Sequence, residues 1–326
     1  MAITLAEAKV GMADKVDQQI IDMFRRSSLL LDKLIFDDAI SPGTGGSTLA
    51  YGYVQLKTPS TAGVRQIGNE YTPGEAKREK KTTQAIIMGG SFKVDRVIAE
   101  TSGGVDELAF QADQKIKATA NYFHNAAING TSASSGAGYV TDTFDGLKKL
   151  LTGTSSAFTA TLDVSTSALT DSNYNAVLDV LDDFLKEFSE KPDMLLMNSK
   201  MLAKIRACAR RAGYYNRSTD GFGRTVEDYD GIILCDAGKY YNGSQSVDVI
   251  PVAANGTSPV YGVKIALDAF HGISPTGGKI IRTSMPDLAA PGAVKEGDVE
   301  LVAGVALKDT TKAGMLDGIK IQAAAG

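Results

Sequence analysis

The spacing of apolar residues predicts three helices, each with an apolar stripe along one face. The first covers residues 4–24 and the third covers 171–188. The second covers 103–129 and ends at Gly130, in the position of a C-terminal capping glycine. A helix of about 26 residues is roughly 40 Å long. This length indicates a rod that spans a broad sheet.

Apolar runs predict a further helix and several strands in the second half of the chain. The short run 194–197 reads as a buried strand, and Asn198 and Ser199 cap a helix that continues through Arg211. Together with the helix over 171–188, this unit indicates an α/β subdomain. Later strands are expected at 231–235, 247–252, 261–267, 279–283, 300–307 and 318–322.

The segment 48–98 differs from the rest because a long polar stretch separates two strand-like runs. The runs are 51–56 and 86–94, and the polar stretch between them is 58–83. We expect these two runs to pair as an extended hairpin with the polar stretch as its tip. The tip has almost nothing to bury, so it cannot fold onto its own domain. Ordered loops of this length are uncommon and usually functional.

The tip contains a dense run of charged residues, which we call the charged run: Glu75, Lys77, Arg78, Glu79, Lys80 and Lys81. Its mixed signs fit a solvated loop, or a contact with complementary charges on another subunit. The length of the hairpin favours the subunit contact. A second group, Arg206, Arg210 and Arg211, ends a helix. These arginines could complement the helix dipole, line a subunit contact or face nucleic acid, and the sequence does not separate these uses.

Composition narrows the class of protein. The chain has 326 residues, 43% of them hydrophobic, so it can bury a core. Its net charge of -4 argues against a nucleic-acid binder that uses its whole surface. No signal peptide is visible, and no apolar run approaches the ~20 residues of a membrane helix. We therefore expect a protein made in the cytoplasm, with Cys208 and Cys235 reduced.

No catalytic, cofactor or metal constellation can be assembled from the sequence. His124 lies in the long helix, where a structural role is expected, and His271 could act as a base only if a serine or cysteine met it in space. The run 272–279 resembles a phosphate loop, but its spacing is wrong by one residue and Ile280 replaces the required hydroxyl. No metal-ligand spacing is present. A small-molecule enzyme of α/β type is therefore the weaker alternative.

The order of these parts resembles that of the HK97-fold major capsid proteins of tailed bacteriophages. The resemblance rests on an arm, a long hairpin, a long helix, the strand–helix unit 193–207 and a return through 299–307 and 318–322. It implies an α+β fold with an N-terminal arm, an E-loop hairpin, a P-domain with a long spine helix and a sheet, and an α/β A-domain. The implied boundaries are 1–47 for the arm, 48–98 for the E-loop, 99–139 with 286–326 for the P-domain (spine helix 103–129), and 140–285 for the A-domain.

The resemblance also implies a function. Such proteins assemble, as pentamers and hexamers, into an icosahedral shell around a double-stranded DNA genome. The implied partners are further copies of the chain, a separate scaffolding protein, a portal and non-specifically bound DNA, with no membrane and no cofactor. The implied location is the virion, after assembly in the host cytoplasm. The alternative is an encapsulin-like nanocompartment shell, which has the same fold but encloses cargo enzymes.

Overall fold

The computed structural model describes residues 28–38, 40, 49–58, 60–97, 107–165, 171–213, 216–219, 225–275 and 280–323. Its helices are α1 (Leu29–Lys33), α2 (Glu107–Asn129), α3 (Leu147–Leu151), α4 (Asp171–Leu185) and α5 (Ser199–Ala212). Its strands are β1 (Phe36–Asp37), β2 (Ala50–Thr58), β3 (Lys77–Gln84), β4 (Ile86–Asp95), β5 (Ala157–Asp163), β6 (Met194–Met197), β7 (Asn216–Thr219), β8 (Thr225–Tyr229), β9 (Ile232–Asp236), β10 (Lys239–Tyr241), β11 (Ser246–Asp248), β12 (Val260–Val263), β13 (Phe270–Ile273), β14 (Ile281–Ser284), β15 (Val294–Leu307) and β16 (Ala313–Lys320).

A five-stranded sheet is built around the long strand β15. Antiparallel β4 pairs with one edge of β15, β14 and β13 pair with successive parts of the other edge, and β1 extends the sheet beside β13. Helix α2 covers one face of this sheet. Phe123 and Ile116 of the helix share a core with Phe92 of β4 and with Val299 and Leu301 of β15. The opposite face of the β4–β15 ladder is left to solvent, as the alternating burial of both strands shows.

A seven-stranded sheet forms the second layer, in the order β5-β16-β12-β6-β9-β8-β7. Helices α4 and α5 lie together on one face of it, where Leu181 and Ile205 join a second core. Strand β6 is central and buried along its whole length, as its continuous apolar sequence predicts. Glycines at 262 and 314 leave room for Phe188, because a Cβ at either position would come within 3.0 Å of its ring.

The predicted helices and the central strand are confirmed where the structure describes them. Helices α2, α4 and α5 and strand β6 match their predictions to within a few residues at each end. Asn198 caps α5, since its side chain accepts a hydrogen bond from the Lys200 N–H at 2.9 Å. Gly130 is required for a different reason than predicted: a Cβ there would lie 2.4 Å from the carbonyl oxygens of Ala126 and Phe144. The predicted helix over 4–24 lies outside the described residues.

The predicted pairing within the hairpin is wrong. Strand β2 pairs with β3, from Ala50 opposite Gln84 to Thr58 opposite Lys77, so most of the charged run is strand rather than tip. The second predicted strand, β4, pairs instead with β15 in the five-stranded sheet. Polar β3 has no apolar alternation that would mark it as a strand, whereas β4 does.

Several elements pair across the expected domain limits. Strands β13 and β14 belong to the five-stranded sheet, although they precede residue 286. The last strand, β16, lies between β5 and β12 in the seven-stranded sheet. Leu30, Leu31 and Leu34, which precede residue 48, are buried in the core beneath the five-stranded sheet.

Replacement of Asn198 tests the link between strand β6 and helix α5. Its side chain caps the helix and also donates to the carbonyl oxygen of Ile250 at 2.7 Å, and the residue is buried. Asn198→Ala should lower the free energy of unfolding by about 2–4 kcal/mol, because a cap is lost and a buried carbonyl loses its donor. Urea unfolding of the subunit measures this change. Lys200→Ala, an exposed change in the same turn, is the control and should cost less than about 0.5 kcal/mol.

Candidate functional site

The β2–β3 hairpin is held to the body of the protein only at its root. Tyr51, Tyr53 and Ala85 are buried there in a small core with Ile273 and Ala306. Two hydrogen bonds fix the direction in which the hairpin leaves the body of the protein. The Tyr51 hydroxyl donates to Asp37 Oδ2 at 2.9 Å, and the Thr83 hydroxyl donates to the carbonyl oxygen of Val305 at 3.0 Å.

Beyond the root, the hairpin packs against nothing in its own chain. Every described residue from Leu56 to Thr82 is exposed, except half-buried Glu79. The tip nevertheless carries large apolar side chains. Val64 and Ile67 are fully exposed, and Tyr71 is exposed beneath the guanidinium of Arg65, 5.4 Å from its ring centre. Exposed apolar side chains in one place usually mark an interaction surface.

The two faces of the hairpin differ in chemistry. We call the inward face the one that carries Tyr51, Tyr53, Gln55, Glu79, Lys81 and Thr83. We call the outward face the one that carries Val54 opposite Lys80 and Leu56 opposite Arg78. Val54 and Leu56 are both about 60% exposed. The outward face therefore combines two bare aliphatic side chains with two cations.

The structure divides the charged run between these faces. On the inward face Glu79 accepts a charge-assisted hydrogen bond from Lys81 at 2.9 Å, and it lies 3.8 Å from Lys57. The bond to Lys81 holds the pKa of the Glu79 carboxyl below its usual value. On the outward face Arg78 and Lys80 have no ion-pair partner among the residues that the structure describes. Glu75 precedes β3 in the exposed tip.

An open groove of about 590 Å³ lies beneath the root of the hairpin. The inward face forms one wall, through Lys81 and Thr83, and α3 forms the other, through Lys149. Hydroxyl groups dominate the remaining lining, and Asp145 supplies the one carboxylate among the lining residues. Asp145 accepts hydrogen bonds from the N–H and the hydroxyl of Ser132, at 2.8 and 2.9 Å, and no histidine or cysteine is among the lining residues. The lining has the chemistry of a polar contact surface.

Both histidines are buried. His124 is buried between Ser28 Oγ, 3.0 Å from Nδ1, and the carbonyl oxygen of Ala237, 2.9 Å from Nε2. Burial lowers its pKa to about 4. His271 is fully buried at the hairpin root, edge-on to the Tyr51 ring, and burial followed by the charge of Lys308 lowers its pKa. Its Nε2 has no partner in the described structure.

Other candidate chemistry is sparse in the part of the chain that the structure covers. No group of three or more His, Cys, Asp or Glu side chains there is placed to hold a metal ion. None of the described helices combines the length and apolarity needed to span a membrane. Cys208 and Cys235 are buried free thiols. Arg206 is bound to Glu227 Oε2 at 2.6 Å, and Arg210 is exposed at the end of α5.

Several known structures have a similar overall fold. A similar chain is that of the SrpI encapsulin complex from Synechococcus elongatus PCC 7942, with a TM-score of 0.57, 14% identity and coverage of 83% of this chain and 82% of that one. The capsid of the empty GTA particle gives 0.55 at 12% identity, with 89% of each chain covered. The capsid of Myoviridae phage XM1 gives 0.53 at 14% identity, with 88% and 90% covered. The fold is therefore the HK97-like capsid fold.

Sequence similarity shows the protein family to which the chain belongs. The model of the SU10 major capsid protein family matches residues 16–238, more than half of the 326-residue chain, so the chain belongs to that family. No curated protein is significantly similar to it in sequence. The protein is thus a bacteriophage capsid protein, a structural component that assembles with further copies into the shell of the virion.

The apolar part of the hairpin is not evident from the sequence pattern. Val64, Ile67 and Tyr71 lie in a segment dominated by Gly, Pro, Thr and charged residues, so they form no periodic pattern. The only feature of the sequence that could have identified these residues is their position, because large apolar residues are unexpected in a stretch that cannot reach the core of its own chain. Leu56 likewise continues the alternation of β2 beyond the buried root of the hairpin.

The buried His124 predicts a pH-dependent stability. The folded pKa of about 4 lies below the ordinary 6.5, so the unfolded chain binds the proton more tightly. The contribution of His124 is complete above about pH 6.5 and is lost as the pH falls towards the folded pKa. Between about pH 7 and about pH 5 the free energy of unfolding should fall by about 2 kcal/mol from this group. Urea titrations of the wild type and His124→Gln measure it, and an equally steep fall in the variant would contradict the assignment.

Proposed function

We propose that this protein forms an icosahedral shell, built from pentamers and hexamers, around the double-stranded DNA genome of a tailed bacteriophage. The projecting hairpin is the observation that carries this proposal beyond family membership. A two-stranded hairpin is at best marginally stable alone in water, and this one leaves its tip and outward face without contacts in its own chain. Head-to-tail contacts between such subunits close into rings when the rotation permits.

We propose the charged run as part of the contact between subunits. All six of its residues lie on the exposed part of the hairpin: Glu75, Lys77, Arg78, Glu79, Lys80 and Lys81. Interfaces of obligate assemblies bury roughly 2,000 Å² or more. An outstretched hairpin supplies such area without enlarging the body of the subunit. Its exposed Val64, Ile67 and Tyr71 supply the apolar part.

The domain division follows the sequence analysis: arm 1–47, E-loop 48–98, P-domain 99–139 with 286–326, and A-domain 140–285. Within this division the hairpin proper is 50–84, because β4 pairs with β15. The sheet of the P-domain also takes β13 and β14, and the sheet of the A-domain takes β16. The two sheets share one core, in which Leu196 and Tyr261 of the seven-stranded sheet join Val299 of the five-stranded sheet, and helices α4 and α5 pack on a second core.

The remaining partners follow from the same proposal. A separate scaffolding protein would direct assembly in the host cytoplasm, a portal would occupy one vertex, and packaged DNA would be contacted non-specifically. The net charge of -4 disfavours tight binding of DNA by the whole surface. No enzymatic activity is proposed. Both histidines are buried, and neither lines the two grooves described next to the hairpin and the long helix.

An encapsulin-like shell around cargo enzymes is the alternative, favoured by the similarity in fold to the SrpI encapsulin at a TM-score of 0.57. The contents of purified particles separate the two. Nuclease-protected double-stranded DNA, released on disruption of particles from lysed host cells, is the expected result. Particles that contain a folded cargo protein and no protected DNA would contradict the phage shell.

A shortened hairpin tests the assembly role directly. Thr58 and Lys77 face each other across β2 and β3, so an Asn-Gly turn can replace residues 59–76 without changing the register. The variant subunit should fold normally, since the deleted tip contributes nothing to the core of the subunit. It should yield no stable particles, because each contact in the shell loses the same apolar tip.

Circular dichroism and sedimentation of the purified variant measure these two effects. A second variant separates the effect of loop length from that of the apolar side chains. It exchanges residues 63–68 for a Gly/Ser segment of equal length, so the loop keeps its length but loses Val64 and Ile67. Both variants should lose particles. Normal particles from the shortened hairpin would show that the tip has no role in assembly.

A further inference from the structure

Three Asn-Gly dipeptides occur in the chain, and all of them lie in the part that the structure describes: Asn129-Gly130, Asn242-Gly243 and Asn255-Gly256. In such a dipeptide the backbone nitrogen of glycine can attack the side-chain carbonyl carbon of asparagine, because glycine has no Cβ to obstruct the approach. The attack closes a succinimide ring and releases ammonia, and water then opens the ring to aspartate or isoaspartate. The reaction needs an unbound glycine N–H and an accessible asparagine side chain, so the fold decides which dipeptide reacts.

The first dipeptide is locked at the end of α2. Asn129 is buried, and its amide donates to Asn125 Oδ1 at 2.9 Å and to the carbonyl oxygen of Val249 at 2.6 Å. The Gly130 N–H donates to the carbonyl oxygen of Ala126 at 2.7 Å. Both the attacking nitrogen and the leaving amide are therefore bound and shielded from water.

The third dipeptide is held by its turn. The Gly256 N–H donates to the carbonyl oxygen of Ala253 at 2.8 Å. A Cβ at Gly256 would lie 2.0 Å from the carbonyl oxygen of Gln322, so the backbone is packed closely there. Asn255 Oδ1 accepts hydrogen bonds from the N–H and the hydroxyl of Thr257, at 3.1 and 2.8 Å. The attacking nitrogen is again bound, and the packed backbone resists the rearrangement that ring closure requires.

The second dipeptide is open to solvent, in the turn between β10 and β11. Asn242 and Gly243 are both exposed. Among the described residues, the Gly243 N–H and the side-chain amide of Asn242 have no hydrogen-bond acceptor. A Cβ built at Gly243 would meet nothing within 4 Å. The attacking nitrogen and the leaving group are therefore both accessible to water.

The same turn also prepares the carbonyl group that is attacked. Asn242 Oδ1 accepts hydrogen bonds from the N–H groups of Ser244 at 3.0 Å and Gln245 at 2.9 Å. Attack on Cγ places negative charge on this oxygen, and two backbone donors already point at it, as in an oxyanion hole. Gly243 has a φ of +97°, a conformation that strains other residues, so the turn itself favours the glycine that makes Asn242 reactive.

We propose that Asn242 is a self-modification site, at which the Gly243 nitrogen displaces ammonia from the side chain and water opens the resulting succinimide. The Gly243 N–H gives its proton to water, the new bond from nitrogen to Cγ forms, and the bond from Cγ to Nδ2 breaks. Overall, one amide and one water molecule become one carboxylate and one ammonium ion, with no change of oxidation state. The reaction belongs to the single chain and does not depend on what the shell encloses.

The two products affect the turn differently. Aspartate at 242 keeps the bonds from Ser244 and Gln245, which then become charge-assisted. Isoaspartate adds one methylene group to the backbone before Gly243 and so displaces its carbonyl oxygen, to which the Tyr241 hydroxyl donates at 2.9 Å. Tyr241 lines an open groove of about 460 Å³ beside α2. Each modified copy also gains one negative charge beyond its net charge of -4, so the surface beside this groove changes as the protein ages.

Mass spectrometry of proteolytic peptides tests this site during incubation of the purified protein near neutral pH. In the folded protein, Asn242 should convert at least about tenfold faster than Asn129 and Asn255, which serve as internal controls. In urea the three dipeptides should convert at rates within about threefold of one another, because the fold no longer holds them apart in reactivity. Each is followed by serine or threonine, so their local sequences are matched.

A pair of glycine variants checks the mechanism. Gly243→Ala should slow the conversion of Asn242 at least about tenfold, since a Cβ then obstructs the attacking nitrogen. Gly153→Ala is the matched control, because Gly153 also has a positive φ and open space around it in a distant turn, and it should leave the rate at Asn242 unchanged. Circular dichroism verifies that both variants fold.

Three results would overturn the proposal. The first is equal conversion of the three asparagines in the folded protein. The second is a rate at Asn242 that is more than about tenfold lower in the folded protein than in urea, because the turn would then protect the side chain instead of preparing it. The third is an unchanged rate in Gly243→Ala. Fast conversion at Asn242 alone, lost in Gly243→Ala and kept in Gly153→Ala, supports the proposal.

Discussion

The antiparallel ladder between β4 and β15 is the interaction on which the rest of the structure depends. All ten residues of β4 pair with β15, from Ile86 opposite Ala303 to Asp95 opposite Val294. Because side chains alternate strictly, this register places Val299 and Leu301 against the long helix and Asp298 and Glu300 in solvent. A slip of one residue would bury the carboxylates and expose the core. The same strand continues to Val305, whose carbonyl oxygen anchors Thr83 at the hairpin root, so the ladder also sets where the hairpin leaves the body.

The parts of the fold that the sequence predicts are those with local periodicity. Helices α2, α4 and α5 have apolar stripes, β6 is continuously apolar, and Asn198 provides a side-chain cap. Strand β3 could not be predicted, because its residues favour no strand and its pairing depends on β2. Strand β4 resembles a hairpin strand in sequence but finds its partner some two hundred residues later. Local pattern carries no information on which of two candidate partners a strand takes.

The exposure of the candidate site was predicted, whereas the division of its charges between two faces was not. The polar stretch with nothing to bury identifies the projecting hairpin correctly. The sequence presents the charged run as one group. The register of β2 and β3 divides its residues between the two faces of the hairpin. Glu79 and Lys81 bind each other on the inward face, while Arg78 and Lys80 face outward beside Val54 and Leu56. Alternation along a strand decides this division, and it can be applied only after the strand itself has been recognised.

The arrangement of charge on β3 also bears on the subunit before it assembles. An exposed hairpin with apolar side chains at its tip and along β2 is an open template for uncontrolled edge-to-edge pairing between free chains. Four of the first five residues of β3 are lysine or arginine, so two such edges repel each other when they approach. Like charges on the hairpins therefore disfavour contact between the hairpins of free subunits, although their exposed apolar side chains alone would favour it.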